Sequence, residues 1–537
     1  MTRAMAALAC AVVVACAPAR APAPAATRVN APAAAEARSD GRYRALTALL
    51  AHNPATGAPV DSIAELVPLL DEDLRSSFTL VFATRSPQQD VDPVHPRVVL
   101  FGHDARLVLA FTGDPTGQNR DILEVVHFRD DARAFELERF VLPAAVRRDP
   151  ALAASARANG HPNPTECLRC HGADPRPIFD SYPVWPGFYG SAQDAFATDP
   201  AELASYRRFL ASKDAPGSVY RLLAFPPGSE VSPYALAPAE DTSGNFAPNM
   251  RLGMALTERN RERIARKLEA APGYAMYRDK LVAGLLECAP LPVTSEARAR
   301  VRATLAAENA AKLDRARITD PDERHRLRMV ELNSSDNFAE IEYMARVLDV
   351  SRADWSMAIE TGAFALYDGI LSGRVVGRDG ARDFYFKEDF LFEMLRGRVA
   401  TDPHAAALFA IKPYAIDHRA GTRLDLPRAI AGCATFAAET NVAAVAWPPA
   451  PPAPPLVVYR CVRCHDPGGD GPPLPFDSPV RLHALLTAQP ALAAEVAART
   501  LVNATDRMPR DQTPLVGADR GALLAYLQAI AAGQTAE

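Results

Sequence analysis

Apolar and polar positions alternate in short runs through the first part of the chain. Five runs are rich in β-branched and aromatic residues: Ser77–Thr84, Arg97–Phe101, Leu107–Phe111, Ile122–Phe128 and Ala134–Leu142. They have the length and texture of strands. Turn chemistry at Gly102-His103-Asp104, Gly113-Asp114 and Asp130-Asp131 separates several of them. The segment predicts an antiparallel meander preceded by two short helical pieces. From about Ala151 to Ala446 the period lengthens. Ala201–Ser212, Glu258–Ala270, Ser295–Arg317, Asn337–Leu348 and Phe390–Ala400 place apolar residues at helical spacing, with arginines on the open face. Asp320, Ser351 and Asp402 stand where N-caps belong. The proline-rich run from Trp447 to Pro455 favours an extended polyproline II conformation and cannot continue a helix. It marks the clearest boundary in the chain. The pattern therefore predicts a multidomain α+β protein. A β-rich domain spans 39–150, a mainly α-helical region 151–446, a linker 447–455, and a small all-α domain 456–537.

The chain has 537 residues, 48% of them hydrophobic and 23% charged, enough to bury real cores in several domains. Its 59 basic and 64 acidic residues nearly balance, which argues against nucleic acid as the main partner. Residues 1–16 read as an export leader: Arg3, then a short apolar run from Ala4 to Ala15. The end of that run, Val13-Val14-Ala15-Cys16, resembles a lipobox. The resemblance implies acylation of Cys16, and thus a lipid anchor on the periplasmic side of a bacterial envelope, with the outer membrane favoured over the inner. An ordinary secretory leader is the alternative. Residues 17–38 are Ala/Pro-rich and read as a tether. No other segment approaches the roughly 18 uninterrupted apolar residues of a membrane span.

Cysteine placement changes the picture most. Cys167-Leu168-Arg169-Cys170-His171 and Cys461-Val462-Arg463-Cys464-His465 are both CxxCH, the attachment signature of c-type haem. Cysteines at i and i+3 share one face of a helical turn, where both reach the haem vinyl groups. The next residue, histidine, is then turned under the iron. A zinc site built from two CxxC pairs would have to join positions 291 apart across the proline-rich linker. A thioredoxin-like redox pair would need a strand-to-helix junction that neither copy shows. The expected cofactors are two covalently bound haem c groups, with Cys167, Cys170, Cys461 and Cys464 as attachment points and His171 and His465 as iron ligands. With Cys10 in the leader and Cys16 acylated, Cys288 and Cys433 remain. They form a disulfide in an oxidising compartment or stay as two buried thiols.

The segment Leu456–Ile530 resembles a class I c-type cytochrome at four points. These are the second CxxCH, the run Gly471-Pro472-Pro473-Leu474, Met508-Pro509 lying 43 positions after His465, and a closing helix Arg520–Ile530 bearing Tyr526. The resemblance implies that the proline carbonyl of the Gly-Pro run orients the proximal imidazole. It also implies that Met508 is the distal iron ligand, and that Tyr526 packs on the haem-bearing helix. A Met/His ligand set suits electron transfer. The segment departs from that family in its short first helix, with Pro455 six residues before Cys461, and in having no lysine for docking.

The segment around the first motif matches no functionally characterised family that can be placed. Arg176 is a candidate partner for a haem propionate. Trp185, Phe188 and Tyr189 either wall a porphyrin or pack the core. Candidate distal ligands are Met250, Met254, His127 and His161. The reading expected from the sequence is a dihaem electron-transfer lipoprotein acting on a redox partner protein of the envelope. The alternative is a dihaem peroxidase- or oxygenase-like oxidoreductase whose first haem is open.

Overall fold

The computed structural model describes residues 31–83, 90–171, 200–226, 248–285, 291–303, 409–413, 420–424, 478–504 and 514–534. It also describes shorter stretches between them. The leader, Cys16, Cys288, Cys433, Trp185, Phe188, most of the proline-rich linker and the caps at Asp320, Ser351 and Asp402 lie outside the described residues. Among the described residues no helix is long and apolar enough to cross a membrane.

The predicted meander is borne out. Strands β1 (Phe78–Val81), β2 (Arg97–Leu100), β3 (Leu107–Phe111), β4 (Ile122–Arg129) and β5 (Ala134–Val141) form one sheet in that order, all neighbours antiparallel. The helix α1 (Ala31–Ala51) precedes it and begins inside the segment read as a tether. Pro32 suits the first turn of a helix, and the alanines that follow are strong helix formers. Short capped helices sit between α1 and the sheet. Ser62 accepts from the Glu65 N–H at 3.3 Å at one helix start, and Asp71 from the Leu74 N–H at 2.8 Å at the next. Beyond the sheet come α2 (Thr165–His171), α3 (Pro200–Ser212), α4 (Pro248–Ala270) and α5 (Tyr274–Leu285). The C-terminal part holds α6 (Pro479–Ala488), α7 (Leu492–Arg499) and α8 (Gly517–Ala531).

Helix α4 starts well before the predicted Glu258, because the polar stretch before it continues an apolar face at Leu252, Ala255 and Leu256. A two-stranded antiparallel hairpin, Phe409–Pro413 with Ala420–Leu424, interrupts the region read as helical. Each strand has five residues, too few for an alternating pattern to stand out against the helical texture around it.

Both faces of the sheet are covered. One face presents Leu80, Val98, Leu100, Leu109, Leu123, Val125 and Phe140. Leu46 and Leu50 of α1 pack on it, as do Tyr206 and Phe209 of α3, with Tyr189 and Tyr220. Gly113 lets Tyr220 approach: a Cβ there would lie 1.8 Å from the tyrosine hydroxyl, which donates to the Pro96 carbonyl at 2.6 Å. The opposite face presents Val81, Val99, Phe101, Val108, Phe128 and Phe135. Leu252, Ala255 and Leu256 of α4 cover it at i, i+3, i+4 spacing.

Both edges are occupied too. Outside β5, the Asn159 side chain accepts from the Val141 N–H at 2.8 Å and donates to the Val141 carbonyl at 2.9 Å. Asn163 accepts from the Leu137 N–H at 3.0 Å through its side chain, and its own N–H donates to the Leu137 carbonyl at 2.7 Å. Asn163 sits at φ 58°, a left-handed conformation that asparagine tolerates better than most residues. Outside β1, Phe82 N–H donates to the Gly187 carbonyl at 2.8 Å and Tyr189 N–H to the Leu80 carbonyl at 3.1 Å. The sheet therefore offers no bare edge at these positions for another chain to pair with.

The C-terminal helices enclose a separate core. It contains Val457, Val458, Phe476, Leu482, Leu486, Leu515, Leu523, Tyr526, Leu527 and Ile530, with Cys461 and Leu474 packed against it. Ser478 caps α6, accepting from the Arg481 N–H at 3.3 Å, and Pro479 occupies its first turn.

Asn159→Ala deletes both side-chain bonds to the outer edge of β5. At about 1 kcal/mol per hydrogen bond, the expected cost is about 1–2 kcal/mol. It is read as a lower urea midpoint at unchanged slope. An unchanged midpoint shows that water replaces the amide at no cost.

Candidate functional site

The first CxxCH lies on α2, immediately after the asparagine that binds the sheet edge. The Cys167 N–H donates to the Pro164 carbonyl at 2.9 Å, so the helix begins as soon as the chain leaves Asn163. Cys167 is half-buried, and Cys170 falls three residues on along the same helix. The His171 imidazole closes that helix. Its Nδ1 lies 2.7 Å from the backbone carbonyl oxygen of Arg176. A carbonyl only accepts, so Nδ1 carries the proton and donates. The Arg176 N–H donates back to the His171 carbonyl at 3.2 Å. Burial lowers the pKa of His171 below the ordinary histidine value, and the positive charges of Arg176 and Arg97 act in the same direction. The hydrogen bond to Arg176 opposes them. The result is a neutral imidazole, protonated at Nδ1, with its lone pair at Nε2. That is the tautomer of an imidazole that ligates through Nε2.

The sheet decides which candidates can join this histidine. Arg97 pairs with Glu124, and both project from the face that α4 covers, since Arg97 alternates with Val98 and Glu124 with Val125. His171 is close enough to Arg97 to feel its charge. His127 projects from the opposite face. It is buried and stacked on Tyr43 of α1, with ring centroids 4.2 Å apart and planes 7° apart. Tyr43 in turn donates to Glu138. Burial raises the pKa of both Tyr43 and Glu138, and their mutual hydrogen bond raises the tyrosine further. His127 is thus a core residue of the α1 face and is withdrawn as a distal-ligand candidate. The period-2 pattern showed that its face is apolar, but not which face carries the motif.

His161 is exposed in the turn before the motif. Met250 and Met254 lie in the first turns of α4. Tyr189 belongs to the core: it is 1% exposed, packs against Tyr206 and Phe209, and donates to the Pro93 carbonyl at 2.5 Å. Of its two alternatives, core packing is the one seen.

At the second motif, Cys461 packs against the C-terminal core and His465 is 9% exposed. The Leu474 N–H donates to the His465 carbonyl at 2.8 Å, returning the end of the Gly-Pro-Pro-Leu run to the motif. The Phe476 ring meets the His465 ring edge-on, with centroids 5.6 Å apart at 76°. Tyr526 donates from its hydroxyl to the Phe476 carbonyl at 3.0 Å, so the closing helix fixes the residue that packs on the histidine. Met508 is half-buried, and its N–H donates to the Arg499 carbonyl at 2.7 Å at the end of α7. Pro472 and Cys464 lie outside the described residues.

Among the described residues, no group of three or more His, Cys, Asp and Glu side chains is arranged to hold a metal ion. Sequence reasoning missed Asn159, Asn163 and the Arg176 carbonyl. The asparagines stood in a turn-like stretch that offered a signal for loop but none for edge pairing. A backbone carbonyl carries no residue signature at all. No family model, no curated protein and no solved structure matches this chain.

Tyr526→Phe removes the hydroxyl and leaves the Phe476 carbonyl buried without that donor. The expected loss is about 1–2 kcal/mol of stability in the C-terminal unit, measured by thermal melting of the chain from residue 456 onward within the full protein. An unchanged melting profile shows that the bond contributes nothing.

Proposed function

We propose that this chain is a dihaem c-type cytochrome of the bacterial envelope, tethered through a lipid at Cys16 and exchanging electrons with a redox partner protein. Cys167 and Cys170 hold the first haem and Cys461 and Cys464 the second, each by two thioethers. His171 and His465 are the proximal iron ligands, and Met508 is the distal ligand of the second iron. The fold assigned to 456–537 on this reading is that of a class I cytochrome domain.

One observation carries the reading. Beside the first CxxCH, the His171 Nδ1–H is tied to a backbone carbonyl at 2.7 Å, which leaves the lone pair on Nε2, the nitrogen on the other side of the ring. A histidine with a purely structural role has no need of the two cysteines on the helical turn before it. The second motif supports the reading differently. His465 is buried against Phe476, in a core that also receives Cys461.

The bound groups supply one-electron redox chemistry at iron. The chain's own residues hold and orient them. The cysteines fix each group to the chain, the first pair to α2, and the Arg176 carbonyl sets the plane and tautomer of one imidazole. Phe476 packs edge-on against the other, and the Met508 thioether offers a soft ligand that favours the reduced state.

Mass spectrometry of protein matured in an export-competent host is expected to show two haem additions. A mass that accommodates no more than one overturns the dihaem reading. Met508→Ala is expected to abolish the sulfur–iron charge-transfer absorption and lower one midpoint potential. If neither moves, Met508 is not a ligand. EPR of the oxidised protein separates carrier from enzyme. Two low-spin haems inert to cyanide fit the carrier, and a high-spin, cyanide-binding first haem moves the assignment to a dihaem oxidoreductase.

A further inference from the structure

The carbonyl that orients His171 belongs to a short loop, and that loop is gripped from outside by one helix. Asp174 stands two residues before Arg176. Its Oδ1 lies 2.6 Å from Arg266 Nη2, and its Oδ2 lies 2.9 Å from both Arg263 Nη2 and Lys267 Nζ. Arg263 Nη2 also donates to the Asp174 backbone carbonyl at 2.9 Å. Three cations of α4 thus converge on one carboxylate, and one of them, Arg263, is 1% exposed. These cations hold the pKa of Asp174 below the usual carboxylate range, although its burial acts the other way.

Helix α4 is itself anchored to the sheet. Leu252, Ala255 and Leu256 are buried against the sheet, and Arg133 on the β4–β5 turn pairs with Glu269. Between Asp174 and the acceptor stands Pro175, and Pro177 follows it. Both are buried, and both have a fixed φ. The loop therefore has little freedom to move the Arg176 carbonyl while Asp174 stays in place.

We propose that Asp174 is a positioning residue for the first haem: clamped by Arg263, Arg266 and Lys267, it holds the Arg176 carbonyl against His171 Nδ1 and so sets the electron donation of that imidazole to iron. This rests on haem attachment at Cys167 and Cys170. A strong bond from Nδ1–H raises ligand basicity and stabilises the oxidised iron. Loosening the loop weakens the bond, and the potential rises.

The sign separates this role from a simple field effect. Asp174→Ala removes a negative charge, and Arg266→Gln removes a positive one. Acting only through space, they shift the potential in opposite directions, Asp174→Ala upward and Arg266→Gln downward. Acting by loosening the clamp, both shift it upward.

The experiment is a potentiometric titration of both variants in full-length, matured protein, following the haem whose potential Met508→Ala leaves unmoved. Haem count is checked first by mass, so that failure of the attachment reading shows as a missing haem at the first motif in the unaltered protein. The expected result is an upward shift in both variants, with Asp174→Glu restoring most of the original value. Opposite shifts, or no shift in Arg266→Gln, overturn the proposal. Should Asp174→Ala fail to fold, the direction observed for Arg266→Gln decides alone.

Discussion

The architecture around the first CxxCH depends on the two open edges of a five-stranded sheet. A sheet edge presents unpaired N–H and C=O groups that must find partners. Here the partners come from the segments that flank the motif. Asn159 and Asn163 satisfy the outer side of β5 just before α2, and Gly187 and Tyr189 lie along the outer side of β1 after it. The motif is thereby placed between two hydrogen-bonded points on the same sheet. The two ends of that stretch are set by hydrogen bonds to strands, which is how a connection can hold a side chain in a defined place.

The two histidines are restrained by different means. His171 relies on polar contacts: a backbone carbonyl on its ring, and ion pairs from α4 onto the loop that supplies the carbonyl. His465 relies on apolar packing, with Phe476 beside its ring and the closing helix bonded to Phe476 through Tyr526. An arginine-rich polar setting and an apolar setting impose different electrostatics on what each histidine binds. On the proposed reading, that difference separates two redox centres in one chain without any change in the attachment motif.

Much of the fold was legible from local pattern. The five strands fall within a few residues of the runs that predicted them, because each is a short block of β-branched and aromatic residues closed by turn residues. The helix Pro200–Ser212 followed from its apolar spacing, and Gly517–Ala531 from the resemblance that placed a closing helix at Arg520–Ile530. The hairpin at Phe409–Pro413 and Ala420–Leu424 and the early start of α4 were not legible. A pattern of five residues is weak, and the opening turns of α4 contain Asn249, Arg251 and Gly253, which dilute its apolar face.

The amino-acid sequence by itself determined the helical turn of the first CxxCH, the order of the strands, and the positions of the second CxxCH and of the Met-Pro and Gly-Pro pairs in the C-terminal segment. Each of these is written in residue type and close spacing. The tertiary structure alone decided that His127 belongs to the α1 face, that Tyr189 is core, that Arg176 lends a carbonyl to His171, and that Asp174 meets three cations from α4. Those outcomes join groups far apart in the chain or use backbone atoms that every residue has. Nothing in the local pattern distinguishes them until the sheet has folded and its two faces and two edges have been given different neighbours.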